Sequence, residues 1–525
     1  MAEWKDVISL RELKAKGKAV VRAGGRRILL VGGEKGVFAC VERCPHQGYP
    51  LSEGTLSEGS ILTCNWHNWK FDLSCGATLV GGDRVRRFPV RVDDDRVLVD
   101  LAPEDPYARR EAALAGLLAA MEEEDQERIV REAARLEKVA PFGQTLLVVL
   151  AWAAPRLEFG TTHAIAAAPD WMSFAEGKES EPDERLAAMG EVLGNIAEDV
   201  RGRGAAFPLP SSTLPWSEKD FLAAVEAENE LEAISLLNGA LANGEAAGEL
   251  APALVRAALL HYADFGHSLI YTLQSLELIE RLGPASATIL LPMLARSVVI
   301  ARREDLLPEF RDYAKRLAGW SEAAGPAPRL VQSGLRRRSA KSAMAIVGAW
   351  SSRHASEKIF EVLVSEAAWQ LLHADERLFT RTDGAIADNV GWLDFTHALT
   401  FADAGLKAAR MSPSVWPAVL LQLACFIGRN SGFVDPDLDA SDHLAAVSLQ
   451  FGSAVRSRLF DHGEVGFIVP AHFAKTLAAA QRLASARPQL AKTVLAATHR
   501  FLFARIKRRH VLRTARQMRD FVAAE

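Results

Sequence analysis

Apolar and polar positions change over short distances in the first hundred residues. Arg27-Ile28-Leu29-Leu30-Val31 runs into Gly32-Gly33-Glu34-Lys35-Gly36, and Val37-Phe38-Ala39-Cys40 follows. Short apolar runs bounded by turn residues predict strands joined by a hairpin. No helix pattern follows the glycines, so a phosphate-cradling loop is the weaker reading. Arg87 to Val92 and Val97 to Asp100, on either side of Asp93-Asp94-Asp95, predict a closing hairpin. From about residue 108 the period changes. Apolar residues recur at helical spacing to the C-terminus, with breaks at Gly202–Pro215, Gly325–Gly334 and Asn430–Asp439. Ser217, two residues after Pro215, predicts a helix start. At the usual helix length, roughly 14 to 18 helices are expected. The chain therefore reads as multidomain: a small all-β domain over residues 1–102, a linker over 103–110 around Pro103 and Pro106, and a large all-α domain over 111–525.

Composition narrows the class. With 49% hydrophobic and 24% charged residues the chain has the balance of a soluble globular protein. A formal net charge of -4 argues against nucleic acid as a partner. Gln144–Ala154 is too short to cross a bilayer and Ile289–Ala301 is interrupted by Pro292 and Arg296, so no membrane anchor is expected. The N-terminus lacks a secretory pattern. Five cysteines are too few for a disulfide framework, and the expected compartment is a reducing cytoplasm.

Two of those cysteines carry the strongest signal. Cys44-Pro45-His46 and Cys64-Asn65-Trp66-His67 each supply one thiolate and one imidazole, with seventeen residues between them. That donor set suits a [2Fe-2S] cluster with Cys44 and Cys64 on one iron and His46 and His67 on the other. Zinc accepts the same donors and is the rival reading. The stretches Cys44-Pro45-His46-Gln47-Gly48-Tyr49-Pro50-Leu51 and Cys64-Asn65-Trp66-His67-Asn68-Trp69-Lys70-Phe71-Asp72-Leu73 resemble the Rieske ferredoxins and the Rieske domains of aromatic-ring oxygenases. Asn68 departs from the glycine usual in that family, so the second loop is expected to differ slightly in backbone. Tyr49 and Trp66 stand where cytochrome bc-type Rieske proteins carry a disulfide, which implies the low-potential, oxygenase-associated subtype. Trp66 and Trp69 are expected to shield the cluster from water.

The helical region shows neither the strand signals nor the full Asp/Asn-x-x-His-x4-His motif of the ring-oxygenase catalytic domain, and no nucleotide-binding glycine motif appears. Electrons must then arrive from a separate reductase or ferredoxin. Asp264-Phe265-Gly266-His267-Ser268-Leu269 and Asp394-Phe395-Thr396-His397-Ala398-Leu399 are alike, and Gly160-Thr161-Thr162-His163-Ala164-Ile165 keeps the histidine without the aspartate. On a helix an i, i+3 pair shares a face, and His261, Asp264 and His267 would fall in one arc of about 120°. Metal ligation by His261, Asp264, His267, Asp394 and His397 is one reading, with non-haem iron as the metal. A metal-free pocket in which His163, His267 and His397 act as acids and bases is another, and ordinary core histidines are a third. His472, on an apolar helix, is a reserve ligand. Stretches around His267–Glu277 and Trp392–Ala404 resemble questin-oxidase-like helical proteins, which implies oxidation of an aromatic or polyketide-like small molecule. A basic run from Arg500 to Arg519 reads as a helix face that could dock an acidic electron carrier.

The expectation is a Rieske-dependent oxidoreductase of the monooxygenase kind. Cluster electrons would reach an iron or metal-free site in the helical domain and use dioxygen, within one chain or between subunits of a homo-oligomer. The alternative is a Rieske electron carrier fused to a helical module that binds a partner or ligand and is not itself catalytic.

Overall fold

The computed structural model describes residues 2–177, 180–321, 330, 332–449 and 451–525. The chain forms two compact units, Met1–Ala140 and Pro141–Glu525.

Among the described residues the first unit is built on eleven short strands: β1 (Trp4–Ser9), β2 (Lys18–Ala23), β3 (Arg26–Gly33), β4 (Gly36–Val41), β5 (Thr55–Ser57), β6 (Ile61–Thr63), β7 (Lys70–Asp72), β8 (Thr78–Val80), β9 (Arg87–Phe88), β10 (Val90–Asp93) and β11 (Arg96–Asp100). They pair as three antiparallel sheets in the orders β1-β11-β10, β2-β3-β4-β9 and β5-β6-β7-β8. Both expected hairpins form, with Glu34 and Lys35 turning β3 into β4, and Asp94 and Asp95 turning β10 into β11. In β3 side chains alternate between faces, yet Ile28, Leu29, Leu30 and Val31 are all buried. Leu29 and Val31 pack with Cys40, Cys44, Leu62 and Cys64, whereas Ile28 and Leu30 pack with Val97 and Val99. One strand thus serves two cores, and burial of each such side chain stabilises the unit by about 2 kcal/mol. The expected all-β character ends at Leu101. After α1 (Leu10–Lys16), helix α2 (Pro106–Glu123) starts with Asp105 as its cap, and α3 (Gln126–Leu136) follows within the same compact unit.

The second unit is helical, and its apolar faces pack on one another as the 3.6-residue period requires. It is cut into more and shorter pieces than expected, because 3₁₀ turns and brief segments such as Tyr313–Ala318 and Glu376–Phe379 divide the periodic stretches. Ser217 caps Glu218–Glu226 by accepting the Asp220 N–H, and no regular element covers Gly202–Pro215. The break at Gly325–Gly334 falls largely outside the described residues. The basic run does not form one helix face. Arg500 is buried on Ala491–Phe503 and donates to the Leu372 and Ala374 carbonyls, irregular backbone follows, and Arg513 and Arg516 sit on Val511–Val522. Among the described residues no helix is long and apolar enough to cross a membrane, and all five cysteines are free.

Four helices position the site: α4 (His163–Ala175), α5 (His267–Leu282), α6 (Trp392–Met411) and α7 (Ile468–Ala486). They form a ring in which α4 packs on α5, α5 on α6, α6 on α7 and α7 on α4.

Candidate metal centres

The two loops of the first unit repeat one backbone design. The Cys44 N–H donates to the Tyr49 carbonyl at 2.8 Å and the Gly48 N–H to the Cys44 carbonyl at 2.9 Å. In the second loop the Cys64 N–H donates to the Trp69 carbonyl at 2.8 Å and the Asn68 N–H to the Cys64 carbonyl at 3.0 Å. Gly48 and Asn68 hold equivalent places with φ of 75° and 59°. Asparagine tolerates this left-handed conformation better than most residues, so Asn68 takes the place in the second loop that Gly48 holds in the first.

Cys44 and Cys64 are buried, His46 is half-buried and His67 exposed. The Nδ1 atoms of His46 and His67 face each other at 3.1 Å. Burial pushes the Cys44 thiol up to about 11, and the His46 and Gln47 N–H groups aimed at its sulfur oppose that shift. Two adjacent buried thiols, N–H groups directed at sulfur and two convergent imidazoles at the outer end fit the mixed ligation of a [2Fe-2S] cluster. Trp69 lies flat on His46, with ring centroids 4.7 Å apart, and Trp66 on His67 at 4.9 Å. Trp66 is 55% exposed and covers only one face of its histidine, so shielding falls mainly to Trp69. The Tyr49 and Trp66 rings meet at a centroid distance of 5.5 Å.

In the second unit His163 and His267 open α4 and α5, while His397 and His472 lie within the first two turns of α6 and α7. Their ring nitrogens converge. His163 Nε2 is 3.1 Å from His267 Nε2, and His397 Nε2 is 3.2 Å from His472 Nε2. Ligand atoms of His163, His267 and His397 all lie within 4.8 Å of one another. Burial holds the four rings neutral: it pushes His267 down to about 4 and the other three well below the usual range.

Three of the rings share a device. His472 Nδ1 donates to the Ile468 carbonyl at 2.7 Å, His267 Nδ1 donates to the Asp264 carbonyl, and the His397 ring makes the matching contact with the Leu393 carbonyl. A carbonyl only accepts, so the proton of each neutral ring sits on the nitrogen facing it, and Nε2 is left as a bare lone pair. At His397 and His472 two such lone pairs meet. A shared cation satisfies both, and ligands oriented through their other nitrogen are what a metal site requires. His163 differs, because its Nδ1 lies 3.1 Å from the Tyr271 hydroxyl, which burial keeps protonated and whose oxygen can accept the Nδ1 proton, leaving Nε2 free to bind a metal.

Seven residues beyond His163 and His267, two turns further along the same faces, stand Asp170 and Gln274. Arg482 joins Asp170 to Asp403 at 2.8 Å each, and Gln274 donates to Asp170 at 2.7 Å. Between this polar layer and the imidazoles lies Lys475. It is fully enclosed, its Nζ has no partner among the described residues, and burial pushes it down to about 7. Lys475 and Asp170 line a cavity of about 10 Å³, room for about one water. Asp403, Lys407 and Arg482 line both that cavity and a cleft of about 660 Å³.

The remaining residues named from the sequence stand elsewhere. His261 sits between Glu226 at 3.0 Å and Asp305 at 3.5 Å. The Asp394 carboxylate accepts the Gly391 N–H at 2.9 Å and caps α6. His261, Asp264 and His267 do not share a helix face, because Asp264, Phe265 and Gly266 take φ of 51°, 50° and 75° and α5 begins only at His267. That turn brings the Asp264 carbonyl closest to His267 Nδ1, with an Asp264 carboxylate oxygen 3.8 Å from the same nitrogen. His472, kept in reserve by the sequence, joins the three histidines directly. Lys475, Tyr271 and Asp170 were missed, and the available signal was a lone lysine within Val469–Ala480, an otherwise almost wholly apolar stretch.

Residues 3–89 match the family model described as the Rieske [2Fe-2S] domain. The chain is 32% identical over 102 residues to the ferredoxin component of the alkene monooxygenase system of Xanthobacter autotrophicus, a match covering 19% of this chain and 84% of that protein. It is 37% identical over 106 residues to 4beta-methylsterol monooxygenase of Methylococcus capsulatus, covering 18% of this chain and 28% of that enzyme. Among solved structures, the ferredoxin of carbazole 1,9a-dioxygenase from Nocardioides aromaticivorans IC177 matches at 27% identity, with 19% of this chain and 98% of that chain covered and a TM-score of 0.18.

Proposed function

Through residues 3–89 the chain belongs to the Rieske [2Fe-2S] family, and on that premise we propose that it is an oxygenase whose cluster electrons serve a non-haem iron held by His163, His267, His397 and His472. The observation that carries this reading is the meeting of bare Nε2 atoms on buried neutral rings. When bound, the [2Fe-2S] cluster supplies single electrons, and an imidazole-held iron supplies the redox chemistry that activates dioxygen. Insertion of one oxygen atom into a C–H bond consumes dioxygen, two electrons and two protons and releases water. The chain's own groups answer those needs. The backbone carbonyls of Asp264, Leu393 and Ile468 orient the rings, and Tyr271 sets the His163 tautomer. Lys475 holds a proton beside the imidazoles, with the Asp170–Arg482–Asp403 layer lining the same cavity. An external reductase or ferredoxin supplies the electrons, and an aromatic or polyketide-like molecule is the substrate class that the helical unit's resemblance suggests.

The test is the ratio of iron to acid-labile sulfide in anaerobically prepared protein. Three irons for two sulfides per chain is the expected result. Two irons for two sulfides would return the chain to an electron carrier fused to a non-catalytic helical module.

A further inference from the structure

Arg131, on α3, lies outside the residues that match the Rieske model, yet it reaches a cluster ligand. Its Nη2 donates to the His46 carbonyl at 3.1 Å, and its Nη1 donates to Asp83 Oδ2 at 2.8 Å. Asp83 is 6% exposed and also accepts from Arg135 at 3.0 Å, so its carboxylate stays ionised between two guanidinium groups, which hold it below the usual range against the cost of burial. The geometry is specific: one arginine bridges a buried carboxylate and the backbone of an iron ligand whose ring is already clamped by Trp69.

We propose that Arg131 is a positioning residue that sets the reduction potential of the cluster, with Asp83 as its counterweight. Reduction places one more negative charge on the cluster. A cation fixed against the His46 backbone favours the reduced form, and an anion beside it favours the oxidised form. The sheet domain alone therefore does not fix the potential; helix α3, appended after it, supplies an adjustable part. The inference rests on the cluster assignment and is independent of the histidine centre in the second unit.

Potentials of the full-length chain, read by spectroelectrochemical titration of the cluster, test it. Arg131→Gln removes the charge and is expected to lower the reduced-to-oxidised ratio at fixed potential by about threefold to tenfold, at 59 mV per tenfold for a one-electron couple. Asp83→Asn leaves the arginine unopposed and is expected to shift the ratio in the opposite direction. Arg131→Lys, which keeps the charge, is expected to recover more than half of the Arg131→Gln change. Opposite signs for the two neutralising variants, with the cluster's absorption retained, support the proposal. Shifts of the same sign, or an Arg131→Gln ratio within twofold of the parent, overturn it, and so does an Arg131→Lys protein no closer to the parent than Arg131→Gln.

Discussion

The Nε2 atoms of His397 and His472 stand 3.2 Å apart, on rings from two different helices that are each held from behind by a backbone carbonyl one turn upstream. Neither ring has a proton to offer the other, and burial denies both a second one. The pair is poised for a cation.

Replacing either member should therefore cost metal rather than fold. His472→Ala and His397→Ala are expected to lower the iron content from three to two per chain, with affinity at the helical site falling on the order of 100-fold or more. The two sulfides and the cluster absorption should persist, which elemental analysis and visible spectra will check. Loss of the cluster in these variants would count against two separate centres.

Lys475 is expected to trade stability for function. Its folded pKa lies below the unfolded value, so the unfolded chain binds the extra proton between pH 10.5 and about 7, and stability is lost as pH falls across that window. Lys475→Met should accordingly stabilise the helical unit at pH 7 by up to about 5 kcal/mol, the gain shrinking as pH rises toward 10.5. Substrate-dependent oxygen uptake should fall by on the order of 100-fold with it. Denaturant unfolding at several pH values, paired with oxygen electrode measurements, reads both.

Arg482 neutralises a carboxylate that is fully buried from bulk solvent. Arg482→Leu leaves Asp170 without its ion-pair partner at 0% exposure and should destabilise the helical unit by about 3–5 kcal/mol. Asp170→Asn, which keeps a group able to pair with Gln274, should cost less. Urea unfolding curves of the two variants supply the comparison, and equal costs would contradict it.

Gly81 sits against the ring that stacks on His46. With φ at +125°, an added Cβ would lie 2.4 Å from a Trp69 ring carbon. Gly81→Ala should cost about 1–3 kcal/mol and displace Trp69, visible as altered circular dichroism of the cluster and a lower unfolding temperature. Asn68→Gly, at a position already left-handed, should leave both signals nearly unchanged.

By itself the sequence determined the first centre almost completely, for a local reason. Cys44 and His46, and likewise Cys64 and His67, lie within four residues of each other, so two short loops bring the donors together, and the glycine, asparagine and aromatic neighbours that shape those loops are contiguous with the ligands. The change of hydrophobic period near residue 108 separated strands from helices for the same reason, since periodicity is a local property. The second centre is not local. His163, His267, His397 and His472 are spread over more than three hundred residues, and nothing in their neighbourhoods states that four helices close into a ring with those ends together. The repeated Asp-x-x-His spacing suggested helix faces bearing carboxylate ligands. In the fold, three positive φ angles take Asp264 off the helix and a cap engages Asp394. Backbone carbonyls, invisible to any reading of side-chain spacing, orient the imidazoles instead. The convergence of four uncharged rings around Lys475, and the reach of Arg131 to the His46 carbonyl, were decided only by tertiary packing, because burial and lone-pair direction exist only once the helices have docked.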